Sequence, residues 1–255
     1  MNNILANKIV VISGGTKGVG RGIALEAAKQ GANIVLGGRD EIAGNEVLKE
    51  VKTTGQTGEF VYTDLHDIKQ CKKLFDVAIE RFGRVDGFVN YAGITPVSSL
   101  SECDEQIYDE VFNVNIKAPF FCSQQAVLSM KKNGGGSIVL FGSPHSWSGE
   151  KDRAAYAVSK GALFTLSEHI AHNYANDNIR CNFITMGWTP TEGELVLRES
   201  QGISKEQLLQ MTAEILPMGR MCRVDDHIPG VIYLLSDYAS MVTGSNLRIT
   251  GGQYI

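Results

Sequence analysis

Lys8-Ile9-Val10-Val11-Ile12-Ser13-Gly14-Gly15-Thr16-Lys17-Gly18-Val19-Gly20 is a short β-branched apolar run that stops at paired glycines and reopens as a helical pattern of Val19, Ile23, Ala24, Ala27 and Ala28, closed by Gly31. Such a run predicts a buried strand from Lys8 to Ser13, and the spacing behind it predicts a helix with Gly31 as its C-cap. A glycine turn between strand and helix offers backbone N–H groups and the positive end of the helix dipole to a phosphate. Glycine lets that phosphate approach the backbone closely. Gly14, Thr16, Lys17, Gly18, Val19 and Gly20 are therefore candidate contacts to a pyrophosphate. The spacing is G-x-x-x-G-x-G and not the general G-x-G-x-x-G, so position after the first strand is what favours a dinucleotide.

The unit then recurs. Strands are predicted at Asn33 to Gly37, Glu59 to Thr63, Gly87 to Tyr91, Gly136 to Phe141, Ile179 to Thr185 and Asn246 to Thr250. Helices are predicted at Glu41 to Thr54, Ile68 to Phe82, around Ser101 to Lys132, at Arg153 to Ala175 and at Val224 to Leu235, with a helical insertion from Ser204 to Glu214. Strands alternating with helices imply parallel strands joined by crossovers, an α/β sheet covered on both faces. No linker interrupts the alternation, so 1–255 reads as one domain with a substrate-side insertion around 188–220. Ligands of such sheets bind beyond the carboxyl ends of the strands.

Arg39 directly follows the second strand, where the adenosine ribose of a dinucleotide would lie, and Lys17 faces the same region from the glycine turn. Two cations there suit a 2′-phosphate and favour NADP(H), with NAD(H) as the second option. The competing reading makes Asp40 the ribose ligand; its place directly before a helical pattern favours Asp40 as an N-cap.

With 255 residues, 43% hydrophobic and 20% charged, the chain has the composition of a globular protein. Its 24 basic and 28 acidic residues, net −4, give no basic footprint for nucleic acid or membrane. The start from Met1 lacks a charged segment followed by an apolar one, and the expected location is cytoplasmic. Cys71, Cys103, Cys122, Cys181 and Cys222 are scattered and odd in number, which speaks against disulfides and zinc. His169 and His172 lack a third ligand at metal spacing, so no metal is expected.

Tyr156 and Lys160 lie four residues apart in a predicted helix, on one face. An ammonium near a phenol draws its pKa toward the working range, so the pair can pass a proton to or from an alcohol. Ser143, a neutral donor after the fifth strand, would bond the same oxygen. A hydrolase does not fit: Phe141-Gly142-Ser143-Pro144-His145 is not G-x-S-x-G, and His145 is too near in sequence to serve Ser143 as base.

Taken together these motifs resemble the short-chain dehydrogenase/reductase family over essentially the whole chain. Residues 13–20 are similar to its T-G-x-x-x-G-x-G, Asp64-Leu65 to its adenine-contacting pair, and Asn90-Tyr91-Ala92-Gly93 to N-N-A-G. Asn115 falls where the family keeps an active-site asparagine, Ser143 stands the expected thirteen residues before Tyr156, and Tyr156-x-x-x-Lys160 completes the set. Asn182-Phe183-Ile184-Thr185-Met186-Gly187 with Thr191 resembles N-x-I-x-P-G and its downstream threonine, which contact the nicotinamide end; Thr189 falls between them. The resemblance implies a single-domain Rossmann fold with a doubly wound seven-stranded parallel sheet. It also implies hydride transfer, with Tyr156 as acid and base, Lys160 lowering its pKa and binding the nicotinamide ribose, and Asn115 holding a relay water. Tyr91, Met186 and the C-terminal Thr250-Gly251-Gly252 depart from the family pattern, and Met186 puts the rigidity of its loop in question.

The substrate wall is expected from His145, Trp147, Trp188 and Glu192, each tryptophan being either a lid contact or a hydrophobic plug. Their polar company, with Lys151 and Glu194, points to a sugar or polyol more than to a steroid. A 3-oxoacyl-carrier-protein reductase would need a cationic docking face such as Lys131, Lys132 and Arg153. A regulator that binds NADPH without turnover is the reading from another class, and the intact proton relay argues against it. The family implies a homotetramer packed through helices 101–132 and 153–175, with Gly252 to Ile255 as an added interface candidate.

Overall fold

The computed structural model describes residues 3–253; Tyr254 and Ile255 of the proposed C-terminal interface lie outside the described residues. β1 (Ile9–Ser13), β2 (Asn33–Gly38), β3 (Gly58–Tyr62), β4 (Gly87–Asn90), β5 (Gly136–Gly142), β6 (Ile179–Met186) and β7 (Asn246–Ile249) form one parallel sheet in the order β3-β2-β1-β4-β5-β6-β7. Every residue of β1 is buried, as a continuous apolar run must be when helices cover both faces. Alternation within that run divides the core. Val10 and Ile12 face one layer, which holds α1 (Gly18–Lys29) and α9 (Val224–Leu235), while Val11 faces the layer of α3 (Ile68–Phe82), α5 (Ala118–Asn133) and α6 (Ala154–Asn173).

Local signals fix most boundaries. Asp40, Asp67 and Asp104 each accept a backbone N–H at the start of α2 (Glu41–Thr53), α3 and α4 (Glu105–Phe112), a contribution of about 1 kcal/mol per cap. Gly31 stands just past α1 with φ +94, the left-handed turn that ends the helix.

Two expectations change. The long helix around Ser101 to Lys132 starts only at Glu105, after the Asp104 cap, and a wider π-helical turn at Asn113–Lys117 separates α4 from α5. The cause is in the sequence: Pro119 has no N–H to give the carbonyl four residues back, that of Asn115. The insertion holds two helices, not one. Thr191 caps α7 (Glu192–Ser200), and Ser204 opens α8 (Lys205–Ile215) with a reciprocal bond to Gln207. Leu208, Leu216 and Met221 give this insertion a small core of its own.

Candidate active site

The strand order reverses between β1 and β4, which opens a crevice at their carboxyl ends. Gly14 makes the crevice possible: its φ is +81, and a Cβ there would stand 2.8 Å from the Ala92 nitrogen. A slot of about 210 Å³ runs from Gly14 and Thr16 past Arg39 to Asp64 and Leu65, with Ala92 and Gly93 on its near wall. His66, Ile94, Glu110 and Val114 also line it, and nothing in the sequence pattern singled them out. A slot floored by the glycine turn that precedes α1 fits the adenosine half of a nicotinamide dinucleotide.

The charges at its outer end are coupled. The Lys17 ammonium lies 3.2 Å from the Asp40 carboxylate and 3.8 Å from that of Glu192. Both raise the Lys17 pKa, the Asp40 hydrogen bond foremost. Asp40 accepts the Ala43 N–H at 3.0 Å, so it is the N-cap the sequence suggested. Asp64 is held below the usual carboxylate range, first by the His66 N–H, then by the His66 ring, and least by Arg39.

Tyr156 and Lys160 share one face of α6 at the inner end of the crevice. Lys160 is 5% exposed; its Nζ donates to the Phe141 carbonyl at 2.9 Å and lies 5.7 Å from the centre of the Tyr156 ring. Burial draws its pKa down to about 8. Ser143, buried just past the end of β5, stands beside the Tyr156 phenol and accepts the His145 N–H at 3.3 Å. Enclosure raises the phenol pKa above its ordinary value, while the Ser143 hydroxyl and the Arg153 charge pull it back and Glu194 opposes them. Arg153 thus joins Lys160 as a cation beside the phenol, a partner the sequence reading did not assign, while Lys160 is anchored by the Phe141 carbonyl behind the ring.

Arg153 is itself a correction. Offered by the sequence as surface charge, it is 7% exposed, with Nη1 donating to the Asp152 carbonyl at 3.1 Å and to its carboxylate at 3.3 Å. Its spacing of three before Tyr156 was the available signal, since residues three apart share a helix face. Lys131, its supposed companion, is paired with Asp177 at 3.1 Å.

Asn115 sits in the π turn, 1% exposed. Its Oδ1 accepts the Ile94 N–H at 2.9 Å, and its Nδ2 donates to the Ile94 carbonyl at 2.9 Å and to Ser159 Oγ at 3.1 Å. Both amide hydrogens are therefore spent. A Cβ on Gly93 would stand 3.2 Å from Asn115 Oδ1 and 3.4 Å from Lys160 Nζ, so these groups meet over a bare glycine.

The departures from the family pattern are accommodated. Tyr91 and Ala92 both donate to the Ser13 carbonyl, which holds the turn, and the Tyr91 ring packs edge-on against Phe141 at 5.2 Å. Burial pushes the Tyr91 phenol up to about 12. Gly187, after Met186, donates to the Ile249 carbonyl at 2.8 Å, so β7 holds the loop that a proline would have stiffened. Thr189 Oγ1 donates to the Gly187 carbonyl at 2.9 Å and lies 2.8 Å from Nε2 of the buried His227. Having given its one proton, Thr189 accepts from His227, which sets the Nε2–H tautomer. Burial lowers the His227 pKa to about 4. His227 carried no sequence signal for this role.

Comparison with known proteins decides the family. A family model described as enoyl-(acyl carrier protein) reductase matches residues 14–253. The chain is 32% identical to the L-rhamnose 1-dehydrogenase (NAD(P)(+)) of Azotobacter vinelandii, over 99% of this chain and 98% of that one. It is 31% identical to the 7alpha-hydroxysteroid dehydrogenase of Clostridium sardiniense, over 97% and 94%. The solved structure of levodione reductase superposes with a TM-score of 0.92 at 26% identity, covering 98% of each chain. The chain belongs to the short-chain dehydrogenase/reductase family. Like its relatives, this short-chain dehydrogenase/reductase is an NAD(P)(H)-dependent oxidoreductase that moves hydride between the nicotinamide and a carbonyl or alcohol. The relatives' names cover a sugar, a steroid and a dione, so membership leaves the substrate open.

Of the expected substrate wall in this short-chain dehydrogenase/reductase, only His145 lies against Tyr156, their ring centres 6.0 Å apart. Trp147 packs edge-on against Phe164 at 5.9 Å, under the Arg248 guanidinium. Trp188 packs against the insertion core, donates Nε1–H to Glu194 at 2.7 Å and is covered by Arg198 at 5.0 Å. Trp188 is a plug of that core, whereas Trp147 remains 43% exposed. Glu192 faces Lys17.

Proposed function

We propose that the chain, acting as one domain with 188–220 on its substrate side, prefers NADP(H) and works on a small polar carbonyl or alcohol. The observation that carries the reading is Tyr156 with the buried Lys160 ammonium 5.7 Å from the centre of its ring, Ser143 at the phenol, and His145, Arg153 and Glu194 around it. A bound nicotinamide supplies or accepts the hydride. Tyr156 gives its phenol proton to the substrate oxygen in reduction and takes it back in oxidation, and Ser143 holds the same oxygen and stabilises charge developing on it. Lys160 lowers the Tyr156 pKa and anchors the nicotinamide ribose, and Arg153 and Ser143 likewise draw the phenol down against the enclosure that raises it. Asn115 serves the proton relay through its backbone carbonyl, which Pro119 leaves without a helical donor, because its side-chain amide is already engaged. Gly187, Thr189 and Thr191 would line the nicotinamide end; Asp64 and Leu65 the adenine; Lys17 and Arg39 a 2′-phosphate.

The charged surroundings of Tyr156 favour a sugar or polyol over an apolar substrate. The relative named for L-rhamnose agrees with this, and the relative named for a hydroxysteroid makes the alternative worth testing. A homotetramer in the cytoplasm remains part of the proposal. Tyr108, Phe120 and Leu128 on helices α4 and α5, and Val158 on α6, leave between 46% and 61% of their surface exposed, on the helices expected to pair. No helix among the described residues is long and apolar enough to cross a membrane.

The test is nicotinamide absorbance with sugars, polyols, keto acids, steroids and acyl thioesters, each with NADPH and NADH and in both directions. Turnover of the hydroxyl-rich substrates with NADPH is expected. A profile confined to steroids or acyl thioesters, or a preference for NADH, would overturn the corresponding part.

A further inference from the structure

Lys17 is the cation best placed by sequence to meet a 2′-phosphate, yet in the fold it is shared between two carboxylates. Asp40 comes from the adjacent loop and is fixed there by capping α2. Glu192 comes from the far side of the crevice, as the first residue of α7. A second contact seats α7 in this place: a Cβ on Gly18 would lie 3.9 Å from Thr191 Cγ2, so the first turn of α7 stands directly over the glycine turn.

We propose that Glu192 is a cofactor-selecting residue, its carboxylate competing with the 2′-phosphate of NADP(H) for Lys17. The inference rests on reading the slot as a nicotinamide-dinucleotide site and goes beyond it by assigning selectivity to the substrate-side insertion. A phosphate monoester brings about 1.5 to 2 negative charges, which must take Lys17 from the carboxylates and tolerate their repulsion. NAD(H) has a neutral hydroxyl there and meets neither cost. The Lys17 and Glu192 side chains are 56% and 72% exposed, so solvent screens the competition and its size is modest. Asp40 exerts the same influence, but its cap makes any substitution a change in folding as well. Glu192 caps nothing, so its share of the influence can be removed by itself.

The experiment is equilibrium binding of NADPH and of NADH to the full chain, followed by calorimetry, for wild type, Glu192→Gln, Lys17→Met and the double variant, with thermal melting as the control for folding. Glu192→Gln is expected to tighten NADPH by about two- to fivefold with NADH unchanged, the effect shrinking as salt is added. In the Lys17→Met background the NADPH gain is expected to shrink to the small part due to direct repulsion, with NADH again unchanged. Equal changes for both cofactors, or the same NADPH gain without Lys17, would overturn the assignment. If the wild type binds neither cofactor, the dinucleotide reading itself fails. That outcome is distinct from binding without selectivity, which overturns only the role of Glu192.

Discussion

Lys160 and Lys17 stand at the two ends of one crevice, and the fold treats them in opposite ways. Lys160 is enclosed, bonded to a backbone carbonyl and drawn to a pKa of about 8, while Lys17 is exposed, flanked by acids and raised above the ordinary value. The inner end therefore holds charge at a cost in stability, with each group fixed by protein partners: Asn115 to Ile94 and Ser159, Lys160 to Phe141, Ser143 to the His145 N–H. The outer end holds charge at little cost among exposed, solvent-screened side chains. Chemistry demands position within a fraction of an ångström and a dry surrounding, so its groups are buried. Selection between two cofactors demands only a modest free-energy difference, which exposed charges supply.

The largest expected effect tests the inner end. Tyr156→Phe removes the proton donor and should lower kcat by roughly 10²–10⁴ in both directions while cofactor affinity, measured separately, stays near wild type. A comparable loss from Glu192→Gln would break the contrast between the two ends.

Lys160→Met comes next, with activity and stability moving in opposite directions. Below about pH 8 the lysine is protonated in both folded and unfolded chains, and the folded state bears the full cost of enclosing it. Between about 8 and 10.5 the unfolded chain still binds that proton and the folded chain does not, so stability rises with pH across this window. The variant should therefore lose activity yet gain on the order of 2–3 kcal/mol at neutral pH by denaturant unfolding, and its stability should lack the alkaline rise. Lys17→Met should produce no such gain.

His227→Gln reads the same physics at acid pH. The wild-type histidine is held neutral; as pH falls from 6.5 through about 4 the unfolded chain takes up a proton that the folded chain refuses, and stability drops. That loss, on the order of 2–3 kcal/mol, should be missing from the variant's pH–stability curve. The smallest effect is expected from Arg153→Met. Loss of a cation that pulls the Tyr156 phenol down should move the rise of alcohol oxidation to higher pH, without abolishing it; an unchanged profile would remove Arg153 from the account.

The sequence by itself determined a great deal. The strand and helix succession was legible because each element buries one side of a periodic pattern, and α3 and α9 fall where that pattern put them. Spacing along the chain likewise put Tyr156 and Lys160 on one helix face and the glycine turn after β1, since those relations depend on neighbours only. Even the π turn had its local sign in Pro119, although the continuous apolar pattern hid it. What tertiary structure alone decided is how each charged group is surrounded. Arg153 became buried, Trp188 became the cover of a small core, and Glu192 crossed the crevice to Lys17, all through elements distant in sequence. Burial and electrostatics depend on which distant surfaces come to face a group, and no periodicity in the chain encodes that.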